Sequence, residues 1–407
     1  RLQQPCGVAA RSSEVVIQRI GLFGEHEPGE GAGHQSVLVG CFPIGLFGAL
    51  RRIRVRSVAF AQQLALGVVE LVLGQLLALV AAKRVLADAM RFRQGEHEHD
   101  RTSVILGVAS STELVVQMGA RLQHPIWRKA LREAGLPESK VQEVVQRIGD
   151  EYQPWQESSF PGLLGNVVAG RIANRLDLGG SNFVTDAACA SSFSAVQAGL
   201  SELYLGDSDM VIAGGVESMS QVPIGSPVTV AKELGNPFTG EISRRYPGEN
   251  FSQFVGAERM AKKYGVSKDD LDQFAYDSHR RAAAATEAGR FKQEILPVNV
   301  NLDDGGETLH DVDEGIRWDA DLDSIRGLQP LAENGIISAA NASQITDGAS
   351  AVLVASEQAV KEFGLKPLAR IHAMAVVGSD PTMVLEGPIP ATEKVLKRAG
   401  MTLADID

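Results

Sequence analysis

Between residues 101 and 213 the sequence switches repeatedly between the spacing of a buried strand and that of a helix, and this alternation limits the fold more than any other feature. The run RTSVILGVA at 101–109 is a short apolar segment, as in a strand covered on both faces of a parallel sheet. Helical spacing occupies 125–148, interrupted near Gly135 and Pro137, and then 166–176. A strand is expected at 182–186, a helix at 191–205 with Phe193, Val196, Leu200 and Leu203 on one face, and another strand at 209–213. Upstream, 75–90 reads as a helix with apolar positions Leu76, Leu79, Val80, Val85 and Leu86. Strands that alternate with helices define an α/β class with a mostly parallel sheet.

The chain then changes character over 217–341, which reads as a long insertion. Its clearest helix starts at Ser267, with Asp270 three residues on as a capping box. An acidic, Gly-containing loop or short hairpin is expected at 301–315. A strand (349–355), a helix (357–362), a strand (369–377) and a helix (391–399) follow. The domain division is therefore 1–72, 73–216, 217–340 and 341–407. Residues 1–72 contain no Lys, Asp, Asn, Thr, Tyr, Trp or Met, improbable for a selected domain. Two readings of that stretch stay open, a frame error at the head of a fragment or a divergent extension.

Composition excludes several classes. With 44% apolar and 22% charged residues, the chain is globular rather than collagenous, coiled or disordered. A net charge of −11 argues against non-specific binding to nucleic acid or to anionic membranes. The apolar stretch 57–82 is interrupted by Gln62, Gln63, Glu70 and Gln75, which favours a buried or amphipathic helix over a membrane span. The start of the chain lacks the order of a secretory signal. Three cysteines at wide spacing, Cys6, Cys41 and Cys189, fit neither a disulfide framework nor a zinc site, so a reducing, cytoplasmic setting is expected.

The sharpest local constellation is DAACASS at 186–192. A strand ends at Asp186, a turn of small residues carries Cys189, and a helix begins at once. A sulfur at a helix N-terminus is favoured as thiolate, and the unpaired N–H groups there can donate to an oxyanion on a thioester carbonyl. The alternative is a buried structural cysteine in a tight turn. Ala213-Gly214-Gly215 and Asn341-Ala342-Ser343 are each either a close approach to a ligand or a helix–sheet packing point. Glu96-His97-Glu98-His99-Asp100 is metal-like in composition, but its alternation fits a solvated loop, and no metal site is expected.

These residues resemble one superfamily of condensing enzymes, the thiolase superfamily, in two ways. Residues from about 75 to 215 are similar to the β-ketoacyl synthase domain of polyunsaturated-fatty-acid and polyketide synthases, through RTSVILGVA, PWQESSFPGLLGNVVAGRIANRLDLGG at 154–180 and DAACASS. Residues from about 214 to 407 are similar to thiolases, the acyl-CoA C-acyltransferases. That similarity rests on AGGVESMS at 213–220, the helix at 270–282, DEGIRWDADLDSI at 313–325, NASQITDGASAVLVAS at 341–356 and GPIPATEKVLKRAG at 387–400. The chain thus looks like a hybrid truncated at both ends, joined at the shared strand SDMVIAGG.

The resemblance implies a thiolase-like αβαβα layered sandwich, with its first half, an insertion domain for CoA and an incomplete second half. It implies an acyltransferase that forms or cleaves a carbon–carbon bond between acyl thioesters through a cysteine acyl-enzyme. Alternatives are a β-ketoacyl synthase, or a catalytically incompetent fragment that binds acyl-CoA. Cys189 matches the nucleophile. Arg317 and Ser324 match positions that touch the CoA nucleotide and pantetheine; Ala339 and Ser343 match contacts to the pantetheine arm. Ala340 replaces the usual thiolase Gly, and Ala-Ser-Ser follows Cys189 where thiolases have Ser-Gly, a departure that favours the synthase for the first half. The remaining family motifs, Asn-Glu-Ala-Phe, Gly-His-Pro and a second cysteine, have no counterpart in the sequence. His279 is expected on a surface helix face and His372 in the core, neither of them catalytic. No cofactor is implied beyond coenzyme A thioester as substrate. The expected partners are acyl-CoA or acyl-carrier-protein thioesters and a second copy of the chain, with no nucleic acid and no membrane. An apolar face is expected where strands of the second half belong.

Overall fold

The computed structural model describes residues 15–18, 73–90, 99–108, 112–150, 164–219, 240–249, 251–301 and 306–406. They fall into two units. The first contains the described residues up to 216 together with 349–370, and the second contains 217–348 and 371–406. Much of the expected 57–82 helix and the Glu96–Glu98 part of the acidic-histidine motif lie outside the described residues.

In chain order the elements of the first unit begin with β1 (Val15–Gln18) and α1 (Leu73–Met90). Next come β2 (Thr102–Gly107), α2 (Thr112–Glu133), α3 (Glu138–Asp150) and α4 (Val168–Leu176). Then follow β3 (Asn182–Thr185), α5 (Ser191–Leu205) and β4 (Met210–Ser218). The second unit adds α6 (Glu241–Arg245), α7 (Gln253–Tyr264) and α8 (Lys268–Glu287). The hairpin β5 (Val298–Asn301) and β6 (Glu307–His310) and the short α9 (Leu322–Arg326) follow. The chain returns to the first unit with β7 (Asp347–Ser356), α10 (Glu357–Glu362) and β8 (Ala369–Arg370), and ends in the second with α11 (Pro388–Ala399).

Among the described residues one sheet has the order β3-β2-β4-β7-β1-β8. Strands β3 and β4 flank β2 and both run parallel to it, as the strand–helix alternation predicts. β1 lies antiparallel to β7 and β8, so the described part of the unassigned first 72 residues, 15–18, pairs with the sheet. Every residue of β2 is buried, and Val104, Ile105 and Leu106 are at most 2% exposed. Burial of that kind contributes roughly 1.5–3 kcal/mol per large apolar side chain. Its buried Ser103 finds a partner outside the strand: the Ser103 and Ser208 hydroxyls share a 2.5 Å hydrogen bond. α1 buries Leu76, Leu79, Val85 and Leu86, with Val80 only half-buried. No described helix is long and apolar enough to cross a membrane.

Four expectations are corrected. The helix expected from 125 starts earlier, at Thr112, while its interruption falls where it was expected, at Gly135, whose φ is 83°. The buried stripe of α5 is Ser191, Ala195, Gly199 and Leu203, while Phe193, Val196 and Leu200 are half-buried. Small residues win because α5 lies close against the sheet: a Cβ on Gly199 would come 3.0 Å from Val211 Cγ1. The strand expected at 369–377 pairs only at Ala369–Arg370. The carbonyls of Met374 and Val376 instead accept hydrogen bonds from Arg398 and Lys394 of α11. His372 is exposed rather than in the core.

In the second unit α8 starts as expected, with the Ser267 hydroxyl accepting from Asp270 N and the Asp270 carboxylate accepting from Ser267 N. The segment before α11 is tied to α7: Arg259 forks onto Glu249 and donates to the Thr382 carbonyl at 2.8 Å, and Glu386 accepts from Lys263 and Tyr264.

Candidate active-site elements

Cys189 lies in the first unit; Arg317, Ser324, Ala339 and Ser343 all lie in the second. The cysteine occupies a sharp turn between the end of β3 and the start of α5. The residue before it, Ala188, has φ of 50°, a left-handed conformation that costs a side-chain-bearing residue about 1–2 kcal/mol. Three contacts hold it there. Asp186 Oδ1 accepts from Ala188 N at 3.0 Å. The Ser191 hydroxyl donates to the Ala188 carbonyl at 2.6 Å and accepts from Ala187 N at 2.8 Å. Backbone strain maintained by a dedicated set of hydrogen bonds is a feature of functional turns.

The turn leaves Cys189 as an exposed free thiol, so the buried structural alternative does not hold. No side chain caps α5 at Ala190; Ser191 N donates to the Ala188 carbonyl at 3.0 Å, so an incoming oxyanion would use the first-turn N–H groups after it. The glycines nearby serve packing. A Cβ on Gly107 would sit 2.6 Å from the Ser191 carbonyl carbon, so only glycine lets the end of β2 abut the start of α5. Gly215 faces the Ser192 hydroxyl and the Gly107 carbonyl, and Gly214 faces Ser350 and Ala351 of β7. The Gly214-Gly215 pair is therefore a packing point of the first unit.

In the second unit, α8 anchors all three segments that carry the expected CoA contacts. Buried Asp272 accepts from Lys268 Nζ at 2.5 Å and from Asn341 Nδ2 at 3.0 Å. Asn341 Oδ1 in turn accepts from Ser338 N at 2.8 Å, which shapes the loop between those residues and leaves Ala339 and Ser343 exposed. Glu258 of α7 fixes the entry to that loop by accepting from Ile336 N and Ile337 N. Asp269 accepts from Arg326 Nε at 2.6 Å, securing the helix that carries Ser324. Asp321 caps that helix through Ser324 N at 2.8 Å, and the Ser324 hydroxyl, then its N–H, hold the carboxyl below the usual range.

Arg317 sits on a loop pinned at three points. Gly315 N donates to Asp313 Oδ1 at 2.7 Å, Gln344 Nε2 donates to the Gly315 carbonyl at 2.5 Å, and Arg317 N donates to His279 Nδ1 at 3.2 Å. His279 is thus half-buried and turned to this loop, not on a free surface. Burial, and then the positive charge of Arg317, lower its pKa from the ordinary histidine value, with Asp313 opposing. Burial raises the pKa of Asp313 against the opposing Gly315 hydrogen bond. Sequence reasoning missed Asp272, His279 and Gln344 as anchors. The signal available was spacing: Lys268, Asp272 and His279 lie four and seven residues apart, near one face of α8.

Comparison with known proteins places these features in context. The family model for the thiolase N-terminal domain matches residues 117–358, and that for the thiolase C-terminal domain matches 365–407. The first match runs without a break through Cys189 and through the strand at which the two resemblances meet. Steroid 3-ketoacyl-CoA thiolase FadA6 of Mycobacterium tuberculosis is 43% identical over 228 residues, 54% of this chain and 54% of that protein. A 3-ketoacyl-CoA thiolase of Psychrobacter is 38% identical over 250 residues, 60% of this chain and 59% of that protein. The chain therefore spans little more than half the length of the curated relatives it matches. Among solved structures, human mitochondrial 3-ketoacyl-CoA thiolase is similar with a TM-score of 0.54 and 25% identity, covering 82% of this chain and 72% of its own. The acetyl-CoA acetyltransferase of Bacillus anthracis is similar with a TM-score of 0.55 and 25% identity, covering 81% and 72%.

Proposed function

The chain belongs to the thiolase family, and from that premise we propose that it is an acyltransferase acting on acyl-CoA thioesters through Cys189. The observation that carries this reading is the strained Ala188 turn, which presents an exposed thiol at the uncapped start of α5. In the proposed step the Cys189 thiolate attacks the thioester carbonyl. The carbonyl oxygen takes the negative charge and is stabilised by first-turn N–H donors. As the tetrahedral species collapses, the bond to the CoA sulfur breaks, a new thioester to Cys189 remains, and the CoA thiolate takes a proton from solvent. Arg317 and Ser324 contact the nucleotide and pantetheine of CoA, and Ala339 and Ser343 its pantetheine arm. In the bond-forming direction the acyl group then passes from Cys189 to the α-carbon of a second acyl-CoA, which gives up a proton. In the reverse direction Cys189 attacks the 3-keto carbonyl of a ketoacyl-CoA, the shortened acyl-CoA leaves and takes a proton, and free CoA accepts the acyl group. We propose further a homodimer without a cofactor beyond the CoA thioester, in the cytoplasm, a setting that the three widely spaced cysteines support.

Adding acetyl-CoA should release one CoA per chain in a burst and leave one acetyl group on Cys189, detected by mass spectrometry; Cys189→Ala should show neither. Absence of the burst in the unmodified chain would replace this reading by that of a non-catalytic acyl-CoA-binding protein. A second reading, a β-ketoacyl synthase activity, is supported by one observation, the Ala-Ser-Ser that follows Cys189. It predicts that an acyl-carrier-protein thioester acylates Cys189 much faster than the CoA thioester.

A further inference from the structure

The proposed function assigns Arg317 to the nucleotide of CoA but leaves open what holds it in place. Arg317 is exposed and, among the described residues, its guanidinium forms no ion pair. Fixing the backbone beneath an exposed arginine reduces the freedom lost when its side chain is ordered on a phosphate. Two of the three pins on this loop act at Gly315, and the third acts on Arg317 itself, through His279 of α8. Resting on the proposed function, we infer that His279 is a positioning residue for CoA recognition, its imidazole accepting from Arg317 N so that the guanidinium meets the nucleotide phosphates from a fixed base.

The acceptor role dictates a protonation state. Nδ1 accepts only in the neutral ring whose proton sits on Nε2; protonation turns both nitrogens into donors, and the bond to Arg317 N is lost. Burial and Arg317 both favour the neutral ring, against Asp313. The other charged groups near this corner are His310 and Glu314 on the same loop and Asp321, Asp323 and Arg326 around α9, where Arg326 is engaged by Asp269. The clasp is therefore closed at neutral pH and opens as pH falls below the ordinary histidine range.

The test compares CoA with pantetheine, which lacks the nucleotide, by equilibrium binding to the full chain. His279→Leu should weaken CoA about tenfold, roughly the effect of one lost hydrogen bond, and leave pantetheine unchanged. His279→Asn, whose side-chain oxygen falls near the Nδ1 position, should restore CoA affinity. Wild-type affinity for CoA should fall as pH drops below about 6.5, while His279→Asn should show a flatter profile. Unchanged CoA affinity in His279→Leu, equal losses for CoA and pantetheine, or failure of the Asn variant to restore binding would each overturn the inference. Failure of the underlying reading looks different. It would appear as no CoA binding by the unmodified chain, or as an Arg317→Ala variant that binds CoA normally.

Discussion

Ser191 shows how much one side chain can decide. Its hydroxyl joins Ala187 N to the Ala188 carbonyl and so holds the left-handed residue that turns Cys189 outward. Ser191→Ala strands a donor and an acceptor at a site only 8% exposed, so a loss of about 1–3 kcal/mol in denaturant melts is expected. The alkylation rate of Cys189 by iodoacetamide should fall with it. Gly107→Ala drives a Cβ into the first residue of α5. In the folded fraction, verified by circular dichroism, it should slow acylation of Cys189 at least tenfold, about 1.4 kcal/mol of barrier. The cysteine itself was legible because small residues surround it in the chain. Gly107 was not, because it lies 82 residues from the sulfur it serves, and nothing in a linear pattern connects the two.

Elements were legible where local signals sufficed and obscure where a neighbour decided. The limits of α5 and of α8's start follow from the turn before Ser191 and from the Ser267–Asp270 box. Which face of α5 is buried depends on the sheet it meets, and close approach selects Ala195 and Gly199 over Phe193. Likewise 371–377 has strand-like composition, yet α11 takes its carbonyls. The box on α8 carries a pH prediction. The Ser267 hydroxyl and backbone hold the Asp270 carboxyl below its ordinary range. A depressed carboxylate stabilises the fold above its unfolded pKa, about 3.9, and that contribution is lost as pH falls through the lower folded value. The melting-temperature gap between the unmodified chain and Asp270→Ala should be present at pH 7 and shrink progressively below about pH 4. Ser267→Ala should cost about 1 kcal/mol at pH 7 in urea melts.

At the scale of the whole molecule, the sheet of the first unit is assembled from distant pieces. β4 is bordered by β2 on one side and by β7 on the other, and 128 residues separate Ser218 from Asp347. Met210 N donates to the Arg101 carbonyl on the β2 side, so the alternate amides of Val211 and Ala213 face β7. A chain ending at residue 340 should leave those two open to rapid hydrogen exchange, and extension to residue 370 should restore protection. The α/β class was readable at this scale because the helix–strand rhythm is local, but the return of 349–370 to the first unit depends on contacts that no periodicity encodes. This arrangement has a consequence during synthesis. At roughly 5–20 residues per second, the ribosome takes about 6–25 s to travel from the end of β4 to the start of β7. Throughout that interval the nascent chain carries a row of unsatisfied amides and carbonyls, so holding by a chaperone should matter most in that window, before β7 emerges.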